Sequence, residues 1–167
     1  MTEPRPLVPM PLADPGPGVG GLPPVPPVRT DARVVALDGV WRFRWSPSVA
    51  GAPDDVADPG TDDSAWGEIE VPSSFVMPRH GATAGPNGTA GRHGSPAYTN
   101  VRYPFPVDPP HPPDANPVGD HRLRVRLRDP PVRAHLRLDG VEGAADVWWG
   151  GALLGSTRGS RLPTVFD

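Results

Sequence analysis

The sequence of 167 residues contains no cysteine and no lysine. Without cysteine there can be no disulfide bonds, thiol catalysis or cysteine-based zinc sites, and the absence fits a cytoplasmic location. All 16 residues of the Lys and Arg class are arginine, and against 19 acidic residues they leave a net charge of −3. A positive surface of the kind that nucleic acid or an anionic membrane requires is therefore not indicated, and we expect neither as a partner.

Long apolar runs are also missing. No stretch approaches the roughly 20 apolar residues that a membrane-spanning helix needs. The first residues, Met1 to Pro6, have no apolar run of the kind found in a Sec-type signal peptide. No segment repeats its apolar residues at helical spacing. We therefore expect a cytoplasmic protein that is not helical and has no membrane partner.

Proline and glycine are abundant, at 27 and 20 residues, and they are unevenly distributed. Residues 1–28 consist mostly of Pro, Gly, Val and Leu, a composition that predicts a disordered or polyproline-like leader. Gly16 to Gly21 spells GxGxxG, but prolines lie within and after the run, where a dinucleotide site needs a strand and then a helix. We interpret that motif as chance and assign one folded domain to residues 29–167.

The folded part shows short segments in which apolar and polar residues alternate. In Val40 to Trp45, for example, Trp41, Phe43 and Trp45 share one side. Further strands are predicted at Glu68–Val71, His121–Arg128 and Arg133–Leu138, and a hairpin is predicted from Val147–Trp149 to Leu153–Leu154 around Gly150-Gly151. Short strands separated by turn residues predict an all-β protein, an antiparallel β-sandwich.

Several blocks of the sequence resemble the β-galactosidases of glycoside hydrolase family 2. The most specific is Tyr98-Thr99-Asn100-Val101-Arg102-Tyr103-Pro104, which is similar to the family's YTNV loop. Other blocks with the same order as in the family are Leu37–Phe43, Val71–Phe75, Leu138–Val141, Trp148 and Ser160–Asp167. The resemblance covers residues 29–167, and the YTNV loop favours the galactosidase branch over the glucuronidase and mannosidase branches.

The resemblance implies the sugar-binding domain of such an enzyme, a jelly-roll sandwich of the galactose-binding-domain type. In the family, two glutamates on a later (β/α)₈ barrel carry out retaining hydrolysis of terminal β-D-galactosides. We therefore expect a fragment that is incomplete at its C-terminus and inactive alone, with no cofactor of its own. When whole, the enzyme is expected to bind a β-galactoside and the remaining domains of the same chain. The resemblance also implies Mg²⁺ and Na⁺ as ions of the whole enzyme, and other copies of itself as partners.

One residue, Asn100, is the candidate for contact with the substrate. In the family, the Asn of YTNV enters the barrel's active site and binds galactose hydroxyls. An amide suits this role because it offers two donors and an acceptor, so it can bind neighbouring hydroxyls in both directions. The alternative is that Asn100 caps a turn at the end of a strand.

Other residues that carry chemistry have structural interpretations. The sequence has four glutamates, and we expect no catalytic pair among Glu3, Glu68, Glu70 and Glu142. The five tryptophans are expected to pack in the core, except for an exposed Trp149. The five histidines, His80, His93, His111, His121 and His135, lack the spacing of metal ligands. A free-standing carbohydrate-binding module and an inert remnant remain the alternative functions.

Overall fold

The computed structural model describes residues 16, 18–23, 31–76, 93, 106–108, 111–128 and 133–167. These residues form the strands β1 (Gly39–Ser46), β2 (Gly67–Val71), β3 (Val118–Arg122), β4 (Leu136–Leu138), β5 (Ala144–Trp149), β6 (Ala152–Arg158) and β7 (Thr164–Phe166), and the 3₁₀ turn Asp54–Ala57. Every strand pair is antiparallel. The predicted all-β class is confirmed and is consistent with a sandwich, while the jelly-roll connectivity remains a prediction. Within the described ranges, no helix has the length and apolar character required to cross a bilayer.

The described residues fall into two compact units. One unit contains the three-stranded sheet β2-β1-β3, in which β1 is the central strand. Its register pairs Trp41 with Ile69 of β2 and Phe43 with His121 of β3. The alternation predicted for β1 is confirmed, because Phe43 is almost fully buried, at 5% exposure. β2 ends before Pro72, which has no N–H to donate to a ladder.

The other unit contains two ribbons, β4 with β7 and β5 with β6. The hairpin between β5 and β6 is confirmed, with Gly150 and Gly151 at φ 59° and 88°. Positive φ at both central residues is the conformation of a type I′ turn, whose twist matches that of the flanking strands. The most buried side chain of this unit is Phe166 of β7, at 1% exposure.

Residues 19–22 depart from the predicted disordered leader. The N–H of Ser156 donates to the Val19 carbonyl at 2.8 Å, and the N–H of Leu22 donates to the Val165 carbonyl at 2.7 Å. Gly21 also forms a β-bridge with Phe166. Glycine permits this close approach of backbones, which the composition alone had suggested to be a cause of disorder. The boundary between residues 28 and 29 remains a prediction.

The strand predicted at His121–Arg128 is wrong in its extent. The ladder runs from Val118 to Arg122, so the strand begins three residues earlier, directly after Pro117. Residues 123–128 form no strand in the described structure, yet their burial still alternates, with Leu123, Val125 and Leu127 half-buried and the arginines between them exposed. An alternating pattern reports which side is covered and does not require a neighbouring strand.

The strand predicted at Arg133–Leu138 is shorter in the structure. Only Leu136–Leu138 pairs, and its partner is β7. Leu136 and Leu138 are half-buried as expected, whereas Ala134 is exposed and not inward-facing. The small side chain of Ala134 offers little apolar area to bury, so the pattern there carried little energy.

Candidate functional site

The predicted substrate contact, Asn100, lies outside the described residues, together with most of the segment from residue 77 to 105. His93 is the described residue of that segment, and it is buried. The role predicted for Asn100 therefore remains a prediction. The described surroundings of this segment are the side chains that contact His93.

An aromatic–histidine cluster, formed by Phe43, Trp45, Phe75, His93 and His121, covers one side of the sheet β2-β1-β3. Phe43 is at its centre, with ring centroids 5.0 Å from both histidines and 5.9 Å from Phe75. His93 also packs against Trp45 at 5.7 Å. Strand alternation places Phe43 and Trp45 on the same side of β1.

Gly119 of β3 makes room for this cluster. A Cβ at residue 119 would lie 2.8 Å from Cε2 of Phe43 and 3.2 Å from the His121 ring. Such distances are shorter than van der Waals contact, so a larger residue would push the rings apart. The close packing of Phe43 therefore depends on glycine at this position of the strand.

Both histidines of the cluster are shifted toward the neutral form. Burial lowers the pKa of His93 below its ordinary value of 6.5. Burial also lowers the pKa of His121, although the Gly119 carbonyl and the charge of Asp120 oppose the change. A low dielectric disfavours the charged imidazolium, and so the cluster acts at neutral pH as an apolar surface.

The opposite side of the sheet is charged. Arg44 is hydrogen-bonded to Asp120 at 2.8 Å and to Asp55 at 2.6 Å, and its guanidinium lies 4.2 Å from the ring centroid of Trp66. Burial alone would lower the pKa of Arg44, but the hydrogen bonds to the two carboxylates outweigh it and raise the pKa. The same hydrogen bond lowers the pKa of Asp55. Asp120 and Trp66 are buried, so this group stabilises the fold rather than exposing a reactive carboxylate.

A second carboxylate on this side, Asp63, holds two arginines. Its side chain is about 10% exposed, contacts the guanidinium of Arg124, and lies 3.7 Å from Nε of Arg122. Arg124 also donates to the Thr61 carbonyl at 3.1 Å. The two guanidinium groups are therefore fixed by contacts within the chain.

A shallow cleft with a volume of about 210 Å³ opens beside these arginines. Its charged lining consists of Arg42, Glu68, Arg122 and Arg124, and Val40, Trp41 and Leu123 complete it. Arg42 donates to Glu68 at 3.1 Å, and roughly half of each side chain is exposed. We name this feature the arginine cleft. The sequence had suggested only a solvated face for the alternating arginines, because the contribution from β1 and β2 cannot be read from one strand.

The described glutamates are all exposed. Glu68 and Glu70 of β2 reach solvent, as does Glu142. This agrees with the expectation that they do not form a catalytic pair, because a general acid with a raised pKa needs a buried carboxyl group. Among the residues that the structure describes, no three His, Asp or Glu side chains are grouped so that they could hold a metal ion. These residues accordingly offer no ligand set for Mg²⁺ or Na⁺.

The tryptophans largely follow their predicted roles. Trp66 is buried at 7% exposure, and Trp149 is exposed at 46%. The indole N–H of Trp41 donates to the Leu37 carbonyl at 2.8 Å, which fixes the ring beside the start of β1. The other two indoles are those of Trp45, which is buried in the cluster, and Trp148, which is half-buried, and both fit packing better than an open sugar-stacking surface.

Comparisons with known proteins point to one family. The family model described as "Glycosyl hydrolases family 2, sugar binding domain" matches residues 34–167. A beta-galactosidase of Arthrobacter sp. (strain B7) is 38% identical over 174 residues, covering 93% of this chain and 16% of that relative. Beta-galactosidases of Photobacterium profundum and of Vibrio cholerae serotype O1 are 34% and 35% identical, each covering 79% of this chain. The chain spans 12% of the length of those two relatives.

Proposed function

Because the chain belongs to family 2 of the glycosyl hydrolases, as its sugar-binding domain, we propose that it serves a β-galactosidase that hydrolyses terminal β-D-galactosides. The observation that carries this proposal is the match to relatives named beta-galactosidase over 79–93% of the chain. Because the chain corresponds to a small share of those relatives, the catalytic work is assigned to other domains of the enzyme. Those domains are its first proposed partners.

Within that enzyme, the proposed role of Asn100 is to bind hydroxyl groups of the galactoside. The support comes from the YTNV block and from amide chemistry, since one side chain can both donate to and accept from adjacent hydroxyls. The buried ring of His93, seven residues earlier, is packed against Phe43 and Trp45. The substrate loop would therefore leave the domain from an apolar, well-packed surface.

Two finer proposals accompany this function. The absence of cysteine supports a cytoplasmic location. A homo-oligomer and the use of Mg²⁺ or Na⁺ by the whole enzyme follow from the resemblance, and the described residues provide no site for either ion. Neither ion is needed for the role proposed for Asn100.

A chimera tests the proposal. The region of the Arthrobacter sp. beta-galactosidase that matches this chain would be replaced by the chain itself, and cleavage of a nitrophenyl β-galactoside would be measured. We expect an active chimera in which Asn100→Ala lowers kcat/KM by about 10- to 100-fold, as the loss of one or two hydrogen bonds to a desolvated substrate predicts. The matched control is Asn87→Ala, which changes an asparagine of the preceding Gly-rich segment.

The outcomes separate the alternatives. An active chimera that is indifferent to Asn100→Ala would contradict the substrate role and support the turn-capping role. A chimera that is folded but inactive would contradict the β-galactosidase assignment. Hydrolysis by the 167-residue chain alone would contradict the assignment of catalysis to other domains, whereas galactose binding tighter than millimolar by that chain would favour a free-standing carbohydrate-binding module.

A further inference from the structure

The arginine cleft is positively charged within a protein of negative net charge. Three guanidinium groups and one carboxylate line it, while the whole chain carries −3. Asp63, which supports Arg122 and Arg124 beside the cleft, compensates one further charge. A positive concavity of this kind raises the local concentration of small anions.

The arginines of the cleft are held in place before any ligand binds. The nearly buried Asp63 contacts Arg124 and lies near Arg122, and Glu68 fixes Arg42 from the neighbouring strand. Cross-strand pairing places Arg42 opposite both Glu68 and Arg122. Side chains fixed by their own neighbours lose little conformational entropy when a ligand arrives.

The cleft also keeps hydrogen-bonding capacity on its open side. Arg42 and Arg124 are 41% and 56% exposed, and a guanidinium has five N–H donors. One of these donors on Arg42 serves Glu68, and on Arg124 the contacts are those to Asp63 and Thr61. The Glu68 carboxylate, 49% exposed, can accept from a hydroxyl. Guanidinium and carboxylate together provide donors for an anion and an acceptor for a neighbouring hydroxyl.

The size of the cleft limits its ligand. A volume of about 210 Å³ is below the roughly 300 Å³ at which pockets for drug-sized molecules begin. Val40 and Leu123 add an apolar border that an inorganic ion would not use. The ligand class that matches this size, charge and border is a single sugar unit with an acidic group.

We propose that the arginine cleft binds one sugar residue bearing a carboxylate or a sulfate, with the anionic group on Arg42 and Arg124 and a ring hydroxyl on Glu68. This site is separate from the contact proposed for Asn100, and it does not depend on the enzyme's β-galactosidase activity. It would direct the domain toward acidic galactosides or toward acidic residues of a larger glycan.

Titration calorimetry on the 167-residue chain tests this site with D-galacturonate, galactose 6-sulfate, D-galactose and acetate as probes. We expect both acidic sugars to bind with millimolar affinity, and galactose and acetate to bind at least about tenfold more weakly, because each lacks one of the two contacts. Arg124→Ala and Arg42→Ala should each weaken galacturonate binding by about tenfold. Arg137→Ala is the matched control, because Arg137 is an exposed strand arginine beside a carboxylate, Asp139, outside the cleft.

Further arms make the result decisive. Arg124→Lys keeps the charge, so it should retain more binding than Arg124→Ala if the latter remains folded by circular dichroism. Asn100→Ala should leave galacturonate binding unchanged, which separates this site from the proposed substrate contact. The proposal is overturned if galactose or acetate binds as well as galacturonate, if Arg137→Ala has the same effect as Arg124→Ala, or if the active chimera binds no acidic sugar.

Discussion

The buried contacts of Arg44 should make it far more important for stability than an ordinary exposed arginine. Arg44→Met removes the partner of Asp120, whose side chain is 9% exposed, and it also removes the guanidinium 4.2 Å from Trp66. Leaving one member of a buried pair without its partner costs about 3–5 kcal/mol, and the lost cation–π contact adds roughly 0.5–1 kcal/mol. We expect the free energy of unfolding to fall by about 3–5 kcal/mol in total, since Arg44 itself keeps some exposure to solvent.

The assay is urea unfolding at pH 7, followed by tryptophan fluorescence. Arg137→Met provides the comparison, because its pair with Asp139 has side chains 49% and 67% exposed and should contribute less than about 1 kcal/mol. The double variant Arg44→Met/Asp120→Leu should recover part of the loss, since it also removes the isolated charge. Equal midpoints for the Arg44 and Arg137 variants would refute the reasoning.

Two further predictions concern the aromatic–histidine cluster. Since burial lowers the pKa of His93 and His121 below 6.5, the unfolded chain binds protons first as the pH falls; stability should be full above pH 6.5 and decline below it toward the lowered folded pKa values. Thermal unfolding between pH 5 and 8 measures this decline, which His121→Phe should reduce and His135→Gln, at an exposed site, should not; a flat profile in the parent chain would contradict it. Gly119→Ala should cost about 1–3 kcal/mol in urea unfolding, because its Cβ would lie 2.8 Å from Phe43. Gly67→Ala of β2, where the nearest atom is 3.5 Å away, should change stability by less than about 1 kcal/mol, and a reversal of this order would show that the rings move aside freely.

The elements that local chemistry determines were predictable from the sequence. The hairpin at Gly150-Gly151 requires two residues at positive φ, and two consecutive glycines indicate this directly. The strand β1 was predictable because its alternation is strong and its aromatic side chains are large. The family resemblance agreed with the match over residues 34–167, since it depended on several ordered blocks.

Features that depend on distant partners were not predictable in the same way. Residues 19–22 are positioned by backbone hydrogen bonds that join Val19 to β6 and Leu22 to β7, near the other end of the chain. The arginine cleft needs Arg42, Glu68 and Arg124 from separate parts of the chain, and no local pattern brings them together. β7 was not predicted either, because its three residues are too few to show a period.

The bond between Leu22 and β7 also affects how the domain can be prepared in the laboratory. Composition suggests that an expression clone should start at residue 29, where the Pro- and Gly-rich stretch ends. Such a clone would lose the acceptor for the Ser156 amide and the donor to the Val165 carbonyl. It would also leave backbone groups of β6 and β7 open to pairing with a second molecule, so self-association of the shortened protein would be a product of the trimming and not a property of the domain.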